Sequence, residues 1–444
     1  MFIREQLNYI IYFGDDEMKI LIKNCNLISM AKDREKIENN IDILIEDGII
    51  KQINKNIECE AEKVIEATGK IIMPGLINTH AHMPMSIFRE TIDGYNLQEW
   101  LEKKIWPMED KLTPEDIYYA SLLSCVEMIK TGTTTINDMY FMTDEIIKAV
   151  NDTGVRIQTT RALQSIAGGG EQRKKELEEL INKYNNKFSN ITFNIGIHGF
   201  YTSSNEYVEE CVEIAKRYNL PIHIHFCENQ KEVEDIKSAY NVDRVSNFIK
   251  KYFKGQHVIL AHAVKLSKED IEELNEENIY ISHCPISNLK LGCGIANVSY
   301  MNEQGIVVSL GTDGQGSGSS LDLFEVMKYT CLLQKGILEN PELLPAYEVL
   351  KMATINGAKA LKLENKVGSI EQGKQADIIM INMDSAVTTP VNNIFSEIVY
   401  NVKGNNVEMT MVNGKILMEN SKLKYKKEKE VYEKCEEIIK RIGN

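Results

Sequence analysis

The sequence contains no run of about 18 apolar residues, so no membrane-spanning helix is expected. It has no excess of positive charge either: 51 Lys and Arg stand against 65 Asp and Glu, a net charge of −14. Proteins that track nucleic-acid phosphates are usually basic, so the charge argues against that class. The nine cysteines include no C-x-x-C pair. An odd, scattered set reads as reduced, mostly buried thiols in a cytoplasmic protein. The N-terminal MFIREQLNYIIYFGDDEM has no small-residue cleavage site and makes a poor signal peptide. No repeat of solenoid period occurs. What is present is a chain of 444 residues, 43% hydrophobic and 26% charged. That length buries a large core without disulfide staples, and the charge balance suits a protein acting on a small molecule.

Both ends of the chain read as β-structure. Lys19–Ile28 is apolar-rich, Ile41–Ile53 alternates around the turn pair Asp47-Gly48, and a third run leads to Ile71–Met73. Strand runs return at Asp377–Asn382, Glu408–Val412 and Lys415–Met418, with Asn413-Gly414 as a turn. Alternation around D-G and N-G pairs predicts hairpins, so the two ends are expected to pair as one small β-domain. Between about 74 and 365 strands alternate with helices. Thr113 is placed to cap a helix with Pro114 at its first position and Gly132 past its end, and Ser204 to cap another. Such units predict a parallel α/β core, either a closed barrel or an open doubly wound sheet. The expected segments are an N-terminal extension (1–18), a first β part (19–73), the α/β core (74–365), a second β part (366–424) and a charged surface helix (425–444).

Most of the eight histidines fall at expected strand ends. Alternate side chains of a strand share a face. Over residues 191–198 the apolar set is Ile191, Phe193, Ile195 and Ile197, which leaves His198 facing inward. Over 307–313 the set Val308, Leu310 and Thr312 leaves Asp313 inward. His80 and His82 lie two apart, on one face, as two imidazoles on one divalent ion would require; chance histidines on a strand are the plain alternative. His223 and His225 form a second pair, with Glu228 just beyond. His262 ends its strand with inward parity, whereas His257 has the opposite parity and reads as a strand-entry or exposed residue. His283 ends a further strand. The segment GSIEQGKQ (368–375) nearly spells a phosphate-binding loop, but Gln375 replaces the Ser or Thr that would hold magnesium. It reads instead as a hairpin of the β-domain.

The motifs PGLINTHAH (74–82), HIHFCEN (223–229), ILAHAV (259–264), SHCPISNLKLG (282–292) and SLGTDG (309–314) occur in the order found in the amidohydrolase superfamily. From about residue 19 to 424 the chain resembles the 5′-methylthioadenosine/S-adenosylhomocysteine deaminases of that superfamily, a branch that includes 5′-deoxyadenosine deaminases. The resemblance implies a TIM-like (β/α)₈ barrel beside a β-sandwich formed by both chain ends. It implies one divalent metal held by His80, His82, His225 and Asp313. Zinc suits these donors with a position left for water, and iron(II) is the alternative. Binuclear relatives carry a carboxylated lysine at the end of strand four; Ile195-Gly196-Ile197-His198 holds none, so one metal is expected.

The resemblance also implies hydrolytic deamination of an adenine ring. Water activated by the metal attacks C6. Glu228 carries protons to the ring, and His262 and Asp313 take or steer the proton of the water. Glu109 falls where the family binds ribose hydroxyls, Arg161 where it has a pocket arginine, and His198 where it has a pocket histidine. Arg173, after Gly168-Gly169-Gly170, corresponds to a second arginine or is a solvated helix residue. Trp100 and Trp106 either wall the pocket or pack beside it. The expected partner is a small nucleoside, with neither nucleic acid nor membrane, in a cytoplasmic homo-oligomer. Two other readings stand beside this one: a guanine or cytosine deaminase or triazine-type hydrolase on the same barrel, and a non-catalytic assembly protein.

Overall fold

A computed structural model of the chain describes residues 18–31, 36–91, 93–185, 187–275 and 278–443. The expected extension therefore lies outside the described residues except for Met18, which directly precedes the first strand. No described helix is long and apolar enough to cross a membrane.

The N-terminal part supplies β1 (Lys19–Leu27), β2 (Glu38–Glu46), β3 (Ile49–Asn54), β4 (Lys63–Glu66) and β5 (Ile71–Pro74). The central part supplies β6 (Leu76–Ala81), β7 (Thr133–Asp138), β8 (Arg156–Thr159), β9 (Ile191–Phe193), β10 (Ile195–Ile197), β11 (Ile222–Phe226), β12 (Val258–His262), β13 (Ile279–His283) and β14 (Val307–Leu310). The C-terminal part supplies β15 (Ile378–Ile381), β16 (Val407–Val412), β17 (Lys415–Glu419) and β18 (Lys422–Leu423).

Strands from the two chain ends share one mixed sheet, in the order β18-β17-β16-β15-β5-β1-β2-β3 with β4 on β1. Its seam is the antiparallel pairing of β15 with β5. Both expected hairpins form. Asp47-Gly48 and Asn413-Gly414 turn with positive φ at every position (51°, 75°, 50° and 74°), the conformation that two-residue hairpin loops need. The two turns also meet. A Cβ on Gly48 would come within 2.5 Å of the Asn413 carbonyl oxygen, and one on Gly414 within 2.4 Å of the Gly48 Cα. Glycine is thus required twice over, by φ and by space. The second β part also holds a helix, Ile394–Tyr400, that the strand-like reading of 366–424 did not contain. Residues 368–375 form a turn-rich loop instead of a hairpin, joined to the sheet through an isolated bridge between Gln375 and Ile49.

The central strands form two parallel sheets, β6-β7-β8-β9 and β10-β11-β12-β13-β14. Hydrogen bonds join them at both margins. On one side Leu163 N donates to Gly196 O (2.8 Å) and His198 N to Leu163 O (2.9 Å). On the other, Thr312 N and Asp313 N both donate to His80 O (3.1 and 3.0 Å). Along the strands the interior changes character. Ile77 and Ile259, near the strand starts, belong to an apolar cluster with Ala358, Leu361 and Val367. Two residues on from Ile77, Thr79 Oγ1 meets Ser282 Oγ (2.7 Å) and Ser309 Oγ (2.9 Å). The imidazoles follow at the strand ends.

Helix Pro114–Thr131 starts as expected, with a reciprocal capping box between Thr113 and Asp116. The C-terminal helix Glu428–Ile442 is more than a charged surface element. It buries Val431, Cys435, Ile438 and Ile442, a spacing that lines one helical face. That face docks on helix Pro114–Thr131, aided by the Arg441–Asp116 and Lys130–Glu428 ion pairs.

One buried ion pair ties the central strands to the terminal sheet. Arg156, at the start of β8, grips Asp377 through two parallel bonds of 2.9 Å and also donates to Ser189 O (2.7 Å). Both side chains are 2% exposed. Breaking such a pair from one side leaves an uncompensated buried charge. Asp377→Ala is therefore expected to cost about 3–5 kcal/mol, read as a lowered denaturant midpoint. A loss under about 1 kcal/mol, the range of surface pairs, would mean that water reaches Arg156.

Candidate active site

The C-terminal strand ends open into a cavity of about 1230 Å³ that is lined by His82, His198, His225, Glu228, His262 and Asp313, among others. His80 lies directly beneath, 0% exposed. The donor atoms of His80, His82 and His225 fall within 4.8 Å of one another, as do those of His80, His262 and Asp313.

The proton positions show what this cluster is suited to hold. His82 Nδ1 lies 2.6 Å from Met139 O, and His225 Nδ1 lies 2.5 Å from His198 O. A carbonyl only accepts, so each Nδ1 carries the proton and each Nε2 presents a lone pair. These two Nε2 atoms face each other at 3.3 Å. Asp313 Oδ1 lies 3.3 Å from His82 Nε2 and 3.5 Å from His80 Nε2. His80 Nε2 is buried with no hydrogen-bond partner among the described residues. Lone pairs and a carboxylate oxygen converging in a dry site repel one another unless a cation lies between them. The donor set therefore fits a divalent metal, and imidazole with carboxylate suits zinc.

Outer partners orient these groups. Asp313 Oδ2 accepts from Ser287 Oγ (2.6 Å) and Ser317 Oγ (3.0 Å), and Gly314 N donates to Oδ1 (2.7 Å). His80 Nδ1 meets His223 Nε2 at 2.9 Å. His223 Nδ1 in turn meets Asn137 Nδ2 (3.2 Å), and Asn137 also donates to Thr79 O (2.8 Å) and accepts from Asn194 (2.6 Å). His223 was legible as half of a pair. Its backing by Asn137 of β7 and by Asn194, between β9 and β10, was not, because no local spacing links residues 137, 194 and 223.

Glu228 is 4% exposed. Burial, then the nearby Asp313 charge, push its carboxyl well above the ordinary carboxylate range. His262 Nε2 lies 3.8 Å from Glu228 Oε2. Asn288 Nδ2 bridges the two, 3.0 Å from His262 Nδ1 and 3.5 Å from Glu228 Oε1. Asn288 was missed in the sequence, where it is one polar residue within SHCPISNLKLG.

His262 reaches the site, but not by the parity expected of it. In the parallel register His223 stands beside Ile259, His225 beside Ala261 and Phe226 beside His262. Ile259 and Ala261 therefore share the inner face with the two histidines, and alternation would send His262 outward with Val258 and Leu260. Its backbone departs from the strand instead, with φ at 74°, followed by 50° at Ala263. A left-handed histidine is strained, and such strain concentrates at functional sites. His283 is buried but is not among the cavity-lining residues; its neighbour Ser282 makes the contact with Thr79. His257 sits at a strand entry as expected, half-buried rather than exposed, with Nε2 2.7 Å from Ala360 O.

The other expected site residues also line this cavity. Glu109 accepts a hydrogen bond from Tyr140 Oη, and burial pushes its carboxyl up to about 7. His198 Nδ1 lies 3.2 Å from Thr202 Oγ1, and burial lowers its pKa to about 4. Arg161 pairs with Glu176 (2.9 Å). Arg173 is drawn inward to the Gln164 (3.2 Å) and Gly168 carbonyls, so it is not a freely solvated helix residue. Trp100 and Trp106 both wall the cavity, the first buried and the second 37% exposed.

The model of the amidohydrolase family matches residues 71–417. The chain belongs to this family. Among its amidohydrolase relatives, the 5-methylthioadenosine/S-adenosylhomocysteine deaminase of Syntrophomonas wolfei is 40% identical over 407 residues, covering 91% of this chain and 94% of the relative. The 5′-deoxyadenosine deaminase of Methanosarcina acetivorans is 42% identical over 404 residues, covering 90% and 93%. A solved adenosine deaminase from Xanthomonas campestris, with bound zinc, superimposes with a TM-score of 0.91 at 24% identity, over 96% of this chain and 98% of that one. The last likeness speaks for the amidohydrolase fold alone.

Proposed function

We propose that this amidohydrolase is a metal-dependent deaminase of adenosine derivatives, converting nucleosides such as 5′-methylthioadenosine, S-adenosylhomocysteine, 5′-deoxyadenosine or adenosine to the inosine derivative and ammonia. One observation carries the reading. A buried carboxyl, Glu228, stands beside His262 and the convergent donors in a cavity whose wall also carries Glu109. Ring deamination needs a proton delivered to the ring nitrogen, and a recognised ribose separates nucleosides from free bases. The names of the relatives point the same way.

In this reading His80, His82, His225 and Asp313 hold one divalent ion, zinc or iron(II), which when bound supplies Lewis acidity and lowers the pKa of water toward about 7. Glu228 gives its proton to N1 as water adds at C6; the proton lost by that water passes to the departing amino group, and Glu228 recovers a proton from the C6 hydroxyl as ammonia leaves. Asn288 donates to His262 Nδ1 and so keeps the imidazole proton on Nε2. His262 therefore steers the water, and Asp313 takes its proton. Arg161, Arg173 and His198 line the sugar side. We also infer that the two parallel sheets close as one (β/α)₈ barrel, with β9 and β10 as one interrupted strand, and that the terminal sheet is the smaller β-sandwich domain. The hydrogen bonds at both sheet margins support closure. Exposed Tyr329, Leu332 and Ile337 support a homo-oligomer, and nine unpaired thiols support a cytoplasmic location.

An ammonia-release screen of adenosine, 5′-methylthioadenosine, 5′-deoxyadenosine, S-adenosylhomocysteine, guanine and cytosine tests the reading. The nucleosides should turn over and the two free bases should not. Faster turnover of guanine or cytosine would replace it.

The ribose role of Glu109 has its own test. Charge-assisted hydrogen bonds are worth roughly 1.5–3 kcal/mol each. Glu109→Gln keeps the shape and loses the charge. It should lower kcat/KM for nucleosides by roughly 10–200-fold while leaving free adenine and metal content unchanged. Because the carboxyl titrates at about 7, nucleoside kcat/KM should rise from pH 6 to 8 in the parent and stay flatter in the variant. Equal losses for adenine and its nucleosides would assign Glu109 to the chemistry or the fold.

A further inference from the structure

His82 directly follows β6, and Asp313 lies beyond β14. Each leads into a short helical turn, Met83–Phe88 and Gln315–Gly318. The two turns pack on each other. A Cβ on Gly314 would come within 2.5 Å of Met85 Sδ and 3.3 Å of His82 Cβ, and one on Gly316 within 3.2 Å of Met85 Cε. Both turns also meet helix Pro114–Thr131 at a single side chain. Ser124 Oγ donates to Met83 O (2.7 Å) and accepts from Gln315 Nε2 (2.8 Å). Ser124 and Gln315 are both 0% exposed.

Other bonds fix one turn at a time. Met83 N donates to Asp138 Oδ1 (2.6 Å) and Ser86 Oγ to Ala120 O (2.7 Å). Ser317 Oγ donates to Asp313 Oδ2 (3.0 Å). Among the described residues, Ser124 is the one side chain that bonds both turns. Further along the same helix Glu127 repeats the pattern just past them, pairing with Arg89 and accepting from Leu321 N (2.9 Å).

The two ligand groups need such a fastening. His82 Nε2 turns its lone pair toward Asp313 Oδ1 at 3.3 Å, and two acceptors at that distance repel. Asp313 also has a left-handed backbone, with φ at 64°, which carries its own strain. Geometry held ready by surrounding bonds spares an incoming ion the cost of assembling it.

We propose that Ser124 is a positioning residue for the metal site: its one hydroxyl locks the His82 turn to the Asp313 turn and so slows loss of the ion. Alanine at this position leaves Met83 O and the Gln315 amide unpaired in a buried place, and each turn then relaxes by itself. The inference rests on the ligand set proposed above and not on the identity of the nucleoside.

The test follows zinc release from the full-length, zinc-loaded protein into a chromogenic chelator. Ser124→Ala should raise the release rate constant roughly 10–100-fold, the usual cost in metal affinity of losing a group that orients a ligand. Ser121→Ala is the control. Ser121 is equally buried on the same helix, but its hydroxyl bonds Ile117 O of that helix (2.7 Å), so release should match the parent. Gln315→Met should also speed release, and the double variant S124A/Q315M should be no faster than the faster single variant, because both changes cut one linkage. The visible bands of the cobalt(II)-loaded protein should shift in S124A and not in S121A, a sign of altered ligand geometry that lost packing would not give. Unchanged release in S124A, equal acceleration in S124A and S121A, or full additivity of S124A with Q315M would each overturn the inference. If S124A does not fold, Q315M against S121A decides by the same measure. A parent that retains no zinc would sink the ligand set itself, an outcome distinct from these.

Discussion

Asp313→Ala should purify with almost no bound divalent metal and with turnover at background. The carboxylate faces His80 and His82 and is itself held by Ser287, Ser317 and the Gly314 amide. Its loss removes the only anionic charge of the proposed ligand set and leaves three neutral imidazoles. His80→Ala should do the same, since its Nε2 has no hydrogen-bond partner among the described residues. His262→Ala should separate the two functions, keeping much of the metal while losing turnover, because Asn288 and Glu228 are its polar neighbours and its proton sits on Nε2. Elemental analysis of the three purified variants beside their kcat decides the matter. If His262→Ala emptied the site as fully as His80→Ala, His262 would be a ligand and the proposed roles would have to change.

The second large effect is expected at Glu228. A glutamine of the same shape can donate a hydrogen bond to a ring nitrogen but cannot release a proton to it. Glu228→Gln should therefore lose about 10²–10⁴-fold in kcat, the usual contribution of a positioned acid–base group, with metal content and melting temperature unchanged. The parent should also lose kcat at high pH, where the raised Glu228 carboxyl finally ionises. That limb should vanish in the variant. A high-pH limb that survives in Glu228→Gln would assign it to another group, and a loss under about tenfold would leave Glu228 as a binding residue only.

Several parts of the molecule could be read from local sequence because local physics decides them. Thr113-Pro114 with Gly132 marks a helix through capping and backbone conformation, and the helix spans Pro114–Thr131. Asp47-Gly48 and Asn413-Gly414 mark hairpins through their positive φ, and both form. The i, i+2 spacing of His80 and His82 brought them to one site, and the order of five motifs carried the family and the nucleoside-deaminase expectation.

Other parts were decided only when distant segments met. His262 was expected in the site for the wrong reason: strand alternation points it outward, and a left-handed backbone turns it back. The neighbours that orient His80, His223 and Glu228 come from residues 137, 194 and 288, which lie far apart along the chain. The C-terminal helix looked like a solvated charged face until its four buried residues met helix Pro114–Thr131. Sequence by itself placed most of the histidines and Asp313 at strand ends, because capping, turn geometry and alternation act over a few residues. Tertiary structure alone decided which nitrogen of His82 and His225 holds the proton, which charge occupies Arg161 and how His262 reaches the cavity. Hydrogen-bond polarity and burial depend on partners brought close in space, and those partners lie far apart along the chain.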